Sequence, residues 1–359
     1  MKISMMNVGF DMGFLNDRLK LEVDFFKRKR SGIPATPTDI IYPYEAGYSV
    51  QKQNLNSDQV SGIDGMVRWN DRVNDFNYFV GVNLTLARQK TINNYGEVFL
   101  NGWDQYRWAQ TNRWSNVKNG AVWMWETIGV FQTQEEIDNY PVNIDGANNV
   151  NLRPGDLIFK DVNGDGLIDD YDKRPLGYAA TDYDWDSGNA NKNPLLSMGI
   201  NLGFEYKGID FAADFAGGFM NTFIGDWHVK YGIGTDQMGY VYNVVDSWQH
   251  EDIFDTKSPW KRGKFPAVRS NNPSIRDWND FYAKEINYLR LRNLVVGYTL
   301  PVKWTKKALI QKLRVYFEGS NLLCWDSLND FGFDPEISSV TGFDYPQHKV
   351  YTVGVNVTF

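Results

Sequence analysis

Along most of the chain, apolar and polar side chains alternate with a period of two. The final stretch is the cleanest case. Tyr351, Val353, Val355, Val357 and Phe359 fall on one face, and Thr352, Gly354, Asn356 and Thr358 on the other. This parity predicts a strand with one apolar face and one small, polar face. The same pattern begins at the amino terminus, where Val8, Phe10, Met12 and Phe14 oppose Asn7, Gly9, Asp11 and Gly13. Leu15-Asn16-Asp17 predicts a tight turn, after which Leu19, Leu21, Val23 and Phe25 resume the alternation. The basic run from Lys27 to Arg30 reads as a solvated strand end, and Ser31 to about Gln59 as a loop.

Further strands are predicted near Val60–Asn70, over Phe76–Lys90 and over Leu196–Tyr206. After a turn at Lys207-Gly208, Ile209, Phe211, Ala213 and Phe215 continue the pattern. Glu285–Thr299 slips in parity near Arg292, which predicts a β-bulge. Pro301 to Gln311 is compact, with room for a helical turn over Trp304–Ile310, and Lys312–Asn321 alternates again. Between these strands lie long excursions at 91–194, 220–284 and 322–348.

In chain order the connections run short, long, short, very long, short, long, short, long. Consecutive strands are antiparallel, so every long connection leaves the same end of the sheet. Long loops at one end and tight turns at the other are the asymmetry of an outer-membrane barrel. A soluble sandwich, which also alternates, has no reason to sort its loops this way. The expected fold is therefore all-β: an antiparallel transmembrane β-barrel segment of about nine strands, an incomplete barrel with long extracellular loops. An odd count, and an amino terminus without an export signal, lead to the expectation that earlier strands are missing. Residues 1–359 would then be the carboxyl-terminal part of a larger barrel, with 91–194 as its longest extracellular loop.

Composition agrees with that picture. The chain holds 13 Trp, 20 Tyr and 22 Phe among 359 residues, yet its mean hydropathy is −0.46. Many aromatics in a polar average suit amphipathic strands joined by wet loops. No run approaches the length of a membrane-spanning helix, which leaves strands as the means of crossing. The net charge of −7 gives no reason to expect nucleic acid, and the single Cys324 cannot form an internal disulfide.

One stretch carries recognisable chemistry. Asp161 to Asp172 matches a twelve-residue calcium loop, with side-chain oxygens from Asp161, Asn163, Asp165, Asp169 and Asp172 and the carbonyl of Leu167. Gly166 stands where such a loop turns sharply, and Ile168 is the apolar residue between ligands. Two departures separate it from a helix-paired loop. Asp172 is shorter than the usual Glu, and the flanks predict a strand over Gly155–Lys160 and no helix through Lys173-Arg174-Pro175. The expected role is a structural Ca2+ that stiffens the largest loop; the alternative is an acidic, hydrated turn. Catalytic patterns are absent: His228, His250 and His348 have no metal-ligand spacing, and neither a serine elbow nor a phosphate loop occurs. No organic cofactor and no enzymatic activity are expected. The Trp-rich connections either pack on themselves, meet a partner, or stack on substrate; the candidate contact residues are Trp103, Trp108, Trp114, Trp227 and Trp248.

Several motifs resemble those of the SusC-type (RagA-like) TonB-dependent outer-membrane transporters of Bacteroidetes. They are Gly155-Asp156-Leu157-Ile158-Phe159-Lys160-Asp161-Val162-Asn163-Gly164-Asp165-Gly166, Asn201-Leu202-Gly203-Phe204-Glu205-Tyr206-Lys207-Gly208-Ile209-Asp210, Tyr288 to Leu294 with Gly297 to Pro301, and the terminal strand. The resemblance covers essentially the whole chain. It implies a plugged barrel, a SusD-like surface lipoprotein as partner, contact with the TonB complex through an amino-terminal plug, and uptake of oligosaccharides or peptides. It also implies that the strand from Tyr351 to Phe359 is the terminus read by the barrel assembly machinery, with lipid outside. The competing expectation is a secreted, calcium-stabilised carbohydrate-binding or hydrolytic β-protein.

Overall fold

A computed structural model describes residues 1–37, 43, 45, 47, 50–93, 121–178, 194–224, 246–267, 269, 272–275, 279–328, 334–336 and 347–359. Nine strands form one antiparallel sheet: β1 (Lys2–Phe14), β2 (Leu19–Ala35), β3 (Gln53–Val73), β4 (Phe76–Asn93), β5 (Leu196–Tyr206), β6 (Ile209–Ile224), β7 (Ala283–Thr299), β8 (Lys312–Asp326) and β9 (Val350–Thr358). Each pairs with its neighbours in sequence, from β1 at one edge to β9 at the other. The sheet is not closed into a barrel. The expected strand number and connectivity hold.

Register confirms that parity sorts the two faces. Phe204 lies opposite Phe211, Phe211 opposite Val296, Val296 opposite Phe317, and Phe317 opposite Val353. This row of apolar side chains crosses five strands on one face. Arg314 pairs with Asn356, and Asp214 with Asn201, on the other. Glycines on the polar face make room for bulky neighbours, as at Gly354, where an added Cβ would sit 2.3 Å from the Tyr316 ring.

Among the described residues, almost none of the apolar face is covered by protein. Among the described residues, the only apolar side chains of the sheet that are buried are Ala213, Ile286 and Leu291. Val353 is 75% exposed, and Val8, Phe10, Phe25, Val67, Val80 and Leu84 are exposed as well. A sandwich would have set these faces against one another. They do not meet.

The four short connections are 15–18, 74–75, 207–208 and 300–311, and all leave one end of the sheet. Lys207 and Gly208 both have positive φ (47° and 87°), the backbone of a type I′ hairpin turn whose twist suits the flanking strands. The expected bulge is present as a register shift between Leu291 and Asn293. The compact turn after β7 contains a helical turn over Val302–Thr305 and a 3-10 turn over Lys306–Ala308.

Two expectations are corrected. The run Lys27–Arg30 is not a strand end, because β2 continues to Ala35 and β3 begins at Gln53, well inside the expected loop. Strands also overrun their alternating segments into the second and third excursions, to Ile224 and to Asp326. Alternation records only the stretch where one face is wholly apolar. Beyond it the hydrogen-bonded ladder persists while both faces become mixed, so parity disappears before the strand does.

Gly354→Val is expected to force the Tyr316 ring aside and lower stability by about 1–3 kcal/mol, read as an earlier midpoint of urea unfolding in detergent. An unchanged midpoint would show that the polar face has slack there.

Candidate functional site

Two regions concentrate polar chemistry: the polar face of the sheet, and a folded module at the end where the long connections leave. The module is built from residues 121–178 and parts of 246–286. Within it, 121–124 pairs with 174–178 and 127–130 pairs with 157–159. A short helix, Gln134–Asp138, is capped by Thr133, whose hydroxyl accepts from the Glu136 amide at 3.2 Å. Trp125, Phe131, Leu152, Phe159, Phe265 and Tyr282 lie in one buried cluster. Tyr282 immediately precedes β7, so this core is seated on the sheet.

A buried ion pair fastens the two parts of the module. Asp156 is fully buried. Its oxygens accept from the Arg153 amide at 2.7 Å and from Arg269 Nη1 at 2.8 Å, with the Ser274 hydroxyl 3.4 Å away. Arg269 lies 113 positions further along the chain. Gly155, beside it, has φ +94°, and an added Cβ would fall 2.4 Å from Trp248 Cγ. Trp248 is only 5% exposed. It forms part of the wall of a pocket of about 220 Å³ together with Arg262, Lys264 and Phe265. Its position is that of a packed side chain. The other candidate contact residues, Trp103, Trp108, Trp114 and Trp227, lie outside the described residues.

The calcium-type loop is folded into the same module. Asp161 accepts from the amides of Gly164 (2.7 Å) and Gly166 (2.8 Å), and both glycines have positive φ. Asn163 Oδ1 accepts from the Asp165 amide at 3.0 Å, and Asp165 Oδ1 from the Leu167 amide at 2.8 Å. Asp172 is fully buried and closes the loop, taking the Val162 amide at 2.7 Å and the Asp169 amide at 2.9 Å. Asn143 exchanges backbone bonds with Gly166 and Ile168, and Trp125 Nε1 donates to the Asp169 carbonyl at 2.7 Å. All six candidate ligands are thus brought onto one loop, and their oxygens suit a hard cation. Among the described residues, however, no three acidic, His or Cys side chains converge as a metal cluster. The carboxylates are turned to backbone amides instead.

An adjoining turn repeats that use of a carboxylate. Burial pushes Asp145 up, but amides of Asn151, Ala147 and Asn149 at 2.7–2.9 Å outweigh it and hold the carboxyl below its ordinary range.

On the polar face, charges pair across strands. Arg30 on β2 grips Asp58 on β3, with Nε 2.8 Å from Oδ1. Arg314 on β8 reaches across β7 to Asp210 on β6 at 2.9 Å. Arg290 and Arg292, on either side of the bulge position Leu291, engage the connection after β8. Arg290 contacts Asp334 at 2.7 Å and Glu336 at 2.6 Å, Arg292 pairs with Glu336, and Arg292 Nη1 donates to Asn321 at 3.2 Å. Asp334 and Glu336 of that connection are therefore drawn over the polar face. Sequence reading missed all these pairs. The parity of Arg290 was a usable signal; the identity of its partners, 44 positions away, was not.

No family model matches the chain. It is 24% identical over 385 residues to TonB-dependent receptor P3 of Formosa agariphila, covering 99% of this chain and 34% of that protein. It is 23% identical over 369 residues to TonB-dependent receptor SusC of Bacteroides thetaiotaomicron, covering 100% of this chain and 32% of that one. The solved structure of the RagAB peptide transporter matches with a TM-score of 0.64 at 22% identity, over 99% of this chain and 35% of the solved chain. The chain spans about a third of the length of the curated relatives it matches. The fold is that of a segment of a TonB-dependent receptor barrel, and the resemblance runs from end to end. The relatives named are receptors and a transporter, not enzymes.

Two outcomes are expected for the module. Arg269→Ala leaves Asp156 buried without its counter-charge and should cost about 3–5 kcal/mol, seen as faster amide exchange at Leu152, Leu157 and Phe159 while β5 and β6 stay protected. Asp145 stabilises its turn fully above the ordinary carboxylate value of about 3.9 and loses that contribution as pH falls through its lowered folded value. Asp145→Asn should therefore flatten the acid limb of amide exchange at Asn149 and Asn151, and an unchanged limb would contradict this.

Proposed function

We propose that the chain is the carboxyl-terminal part of the barrel of a TonB-dependent nutrient importer in the bacterial outer membrane. The observation that carries this reading is the uncovered apolar face, combined with long connections sorted to one end. Hydrocarbon solvates the apolar face, and the polar face, lined by Arg30–Asp58, Arg314–Asp210 and the Arg290–Glu336 group, borders the path of the cargo. In lipid an unpaired strand edge is costly, because its amides and carbonyls have no water to bond. The free edges of β1 and β9 accordingly pair with further strands of the same barrel.

The module built from residues 121–178 and parts of 246–286 stands on the extracellular rim, where it meets a SusD-like lipoprotein. The cargo is an oligosaccharide or a peptide. Support for the partner comes from SusC and the RagAB transporter among the similar proteins. Coupling to the TonB complex passes through a plug, and the strand ending at Phe359 is read by the assembly machinery. The loop from Asp161 to Asp172 takes a structural Ca2+, supported by ligand spacing and by the two positive-φ glycines that already set its turn. Asp161, Asn163, Asp165, Asp169, Asp172 and the Leu167 carbonyl hold the ion.

Expressed behind an export signal, the chain should partition into the detergent phase; recovery in the aqueous phase would sink the membrane assignment. Calorimetric titration with Ca2+ should give binding heat for the native chain and at least roughly ten-fold weaker binding for Asp165→Ala. Absence of heat in both would remove the calcium site and leave the transporter reading untouched.

A further inference from the structure

Three of the four connections at the short-turn end are minimal. The fourth, 300–311 between β7 and β8, differs in shape and chemistry. It winds through two short helical turns that end at Leu309, held in the left-handed region at φ 60°. It is pinned to the sheet end, since the Leu300 amide donates to the Leu313 carbonyl at 2.9 Å and the Gln311 amide to the Thr358 carbonyl at 2.8 Å. Only Thr305 of the two turns is buried. Val302 is 56% exposed, Trp304 68% and Leu309 83%. Lys303, Lys306 and Lys307 are exposed among them, and no acidic residue lies between Pro301 and Lys312.

Holding a Trp and a Leu in water on an ordered backbone is unfavourable unless something covers them. Here the cover is indicated by continuity and charge. The outward row of β7 to β9 runs into this connection, with Tyr298, Val315, Val357 and Phe359 exposed near the same end. Trp belongs at a membrane–water boundary, where its ring is half solvated by acyl chains and its N–H by headgroups. Lysines there place their stems along apolar surface and their ammonium groups at phosphate level.

We propose that the connection 300–311 is an interfacial binding surface for anionic phospholipid in the leaflet at the short-turn end. Val302, Trp304 and Leu309 enter the boundary between headgroups and acyl chains. Lys303, Lys306 and Lys307 hold the headgroup phosphates. The inference rests on the membrane reading above and adds a lipid preference to it.

The test places a polarity-sensitive fluorophore at Leu309→Cys in a Cys324→Ser background, with Val353→Cys as the reference on the apolar face. The full chain is inserted into vesicles of phosphatidylethanolamine, alone or with phosphatidylglycerol, each carrying lipid brominated near the headgroup or midway down the chain. The label at 309 should be blue-shifted and quenched best by the shallow bromines, with quenching rising roughly two-fold or more on adding phosphatidylglycerol. Lys303→Gln with Lys306→Gln and Lys307→Gln should abolish that rise. A label at 309 that stays in water while the one at 353 is quenched overturns the proposal and spares the membrane reading. A label shielded from water yet unquenched points to a protein partner and also overturns it. If neither label is quenched, both readings fall.

Discussion

The structure depends on one constraint: a nine-stranded sheet pairs its backbone strand to strand everywhere but along its two outer edges, yet the described sheet buries almost none of its apolar face. Ala213, Ile286 and Leu291 are all the buried apolar side chains the described sheet contains. It is held by the ladder itself and by cross-strand rows such as Phe204, Phe211, Val296, Phe317 and Val353, and on the proposed reading by a solvent able to receive that face. In water the row would be a liability; in hydrocarbon it is the ordinary outside of a barrel. Every other feature is arranged around this division of labour.

Compact packing occurs where the long connections gather. Trp125, Phe131, Phe159 and Tyr282 make a small globular core on the sheet end, locked by the Asp156–Arg269 pair. A buried carboxylate of this kind is a specifying contact more than a stabilising one, since its desolvation offsets much of the attraction. It requires residues 113 positions apart to meet in one arrangement, which gives the rim a defined shape. Arg290 and Arg292 do the same for the connection after β8, drawing Asp334 and Glu336 over the polar face. On the proposed reading, these contacts narrow and shape the route that cargo follows, so loop geometry and path geometry are set together.

Legibility followed the range of the physics. Strand number, face assignment and the bulge beside Leu291 were readable, because a period of two is local and a slip of one residue exposes itself. The sorting of connections was readable too, since it needs only lengths and antiparallel order. The basic run at Lys27–Arg30 misled because its charge was visible and its partner was not: Arg30 is satisfied by Asp58 on the next strand. Strand ends near Ala35, Ile224 and Asp326 were likewise hidden, because the ladder there continues without a wholly apolar face to mark it. Of the calcium-type loop, the oxygen spacing was legible. That Asp172 would be buried and turned to the amides of Val162 and Asp169 was not.

By itself the sequence determined the amphipathic strands, their order and the end from which bulk would emerge. These are consequences of side-chain parity and chain connectivity, which act between neighbours. Only the tertiary structure decided that the apolar faces remain uncovered, that Trp248 is packed beside Gly155, and which acid answers each arginine. Those outcomes join positions tens to more than a hundred residues apart, and the geometry that selects among equivalent carboxylates exists only once the strands are in register.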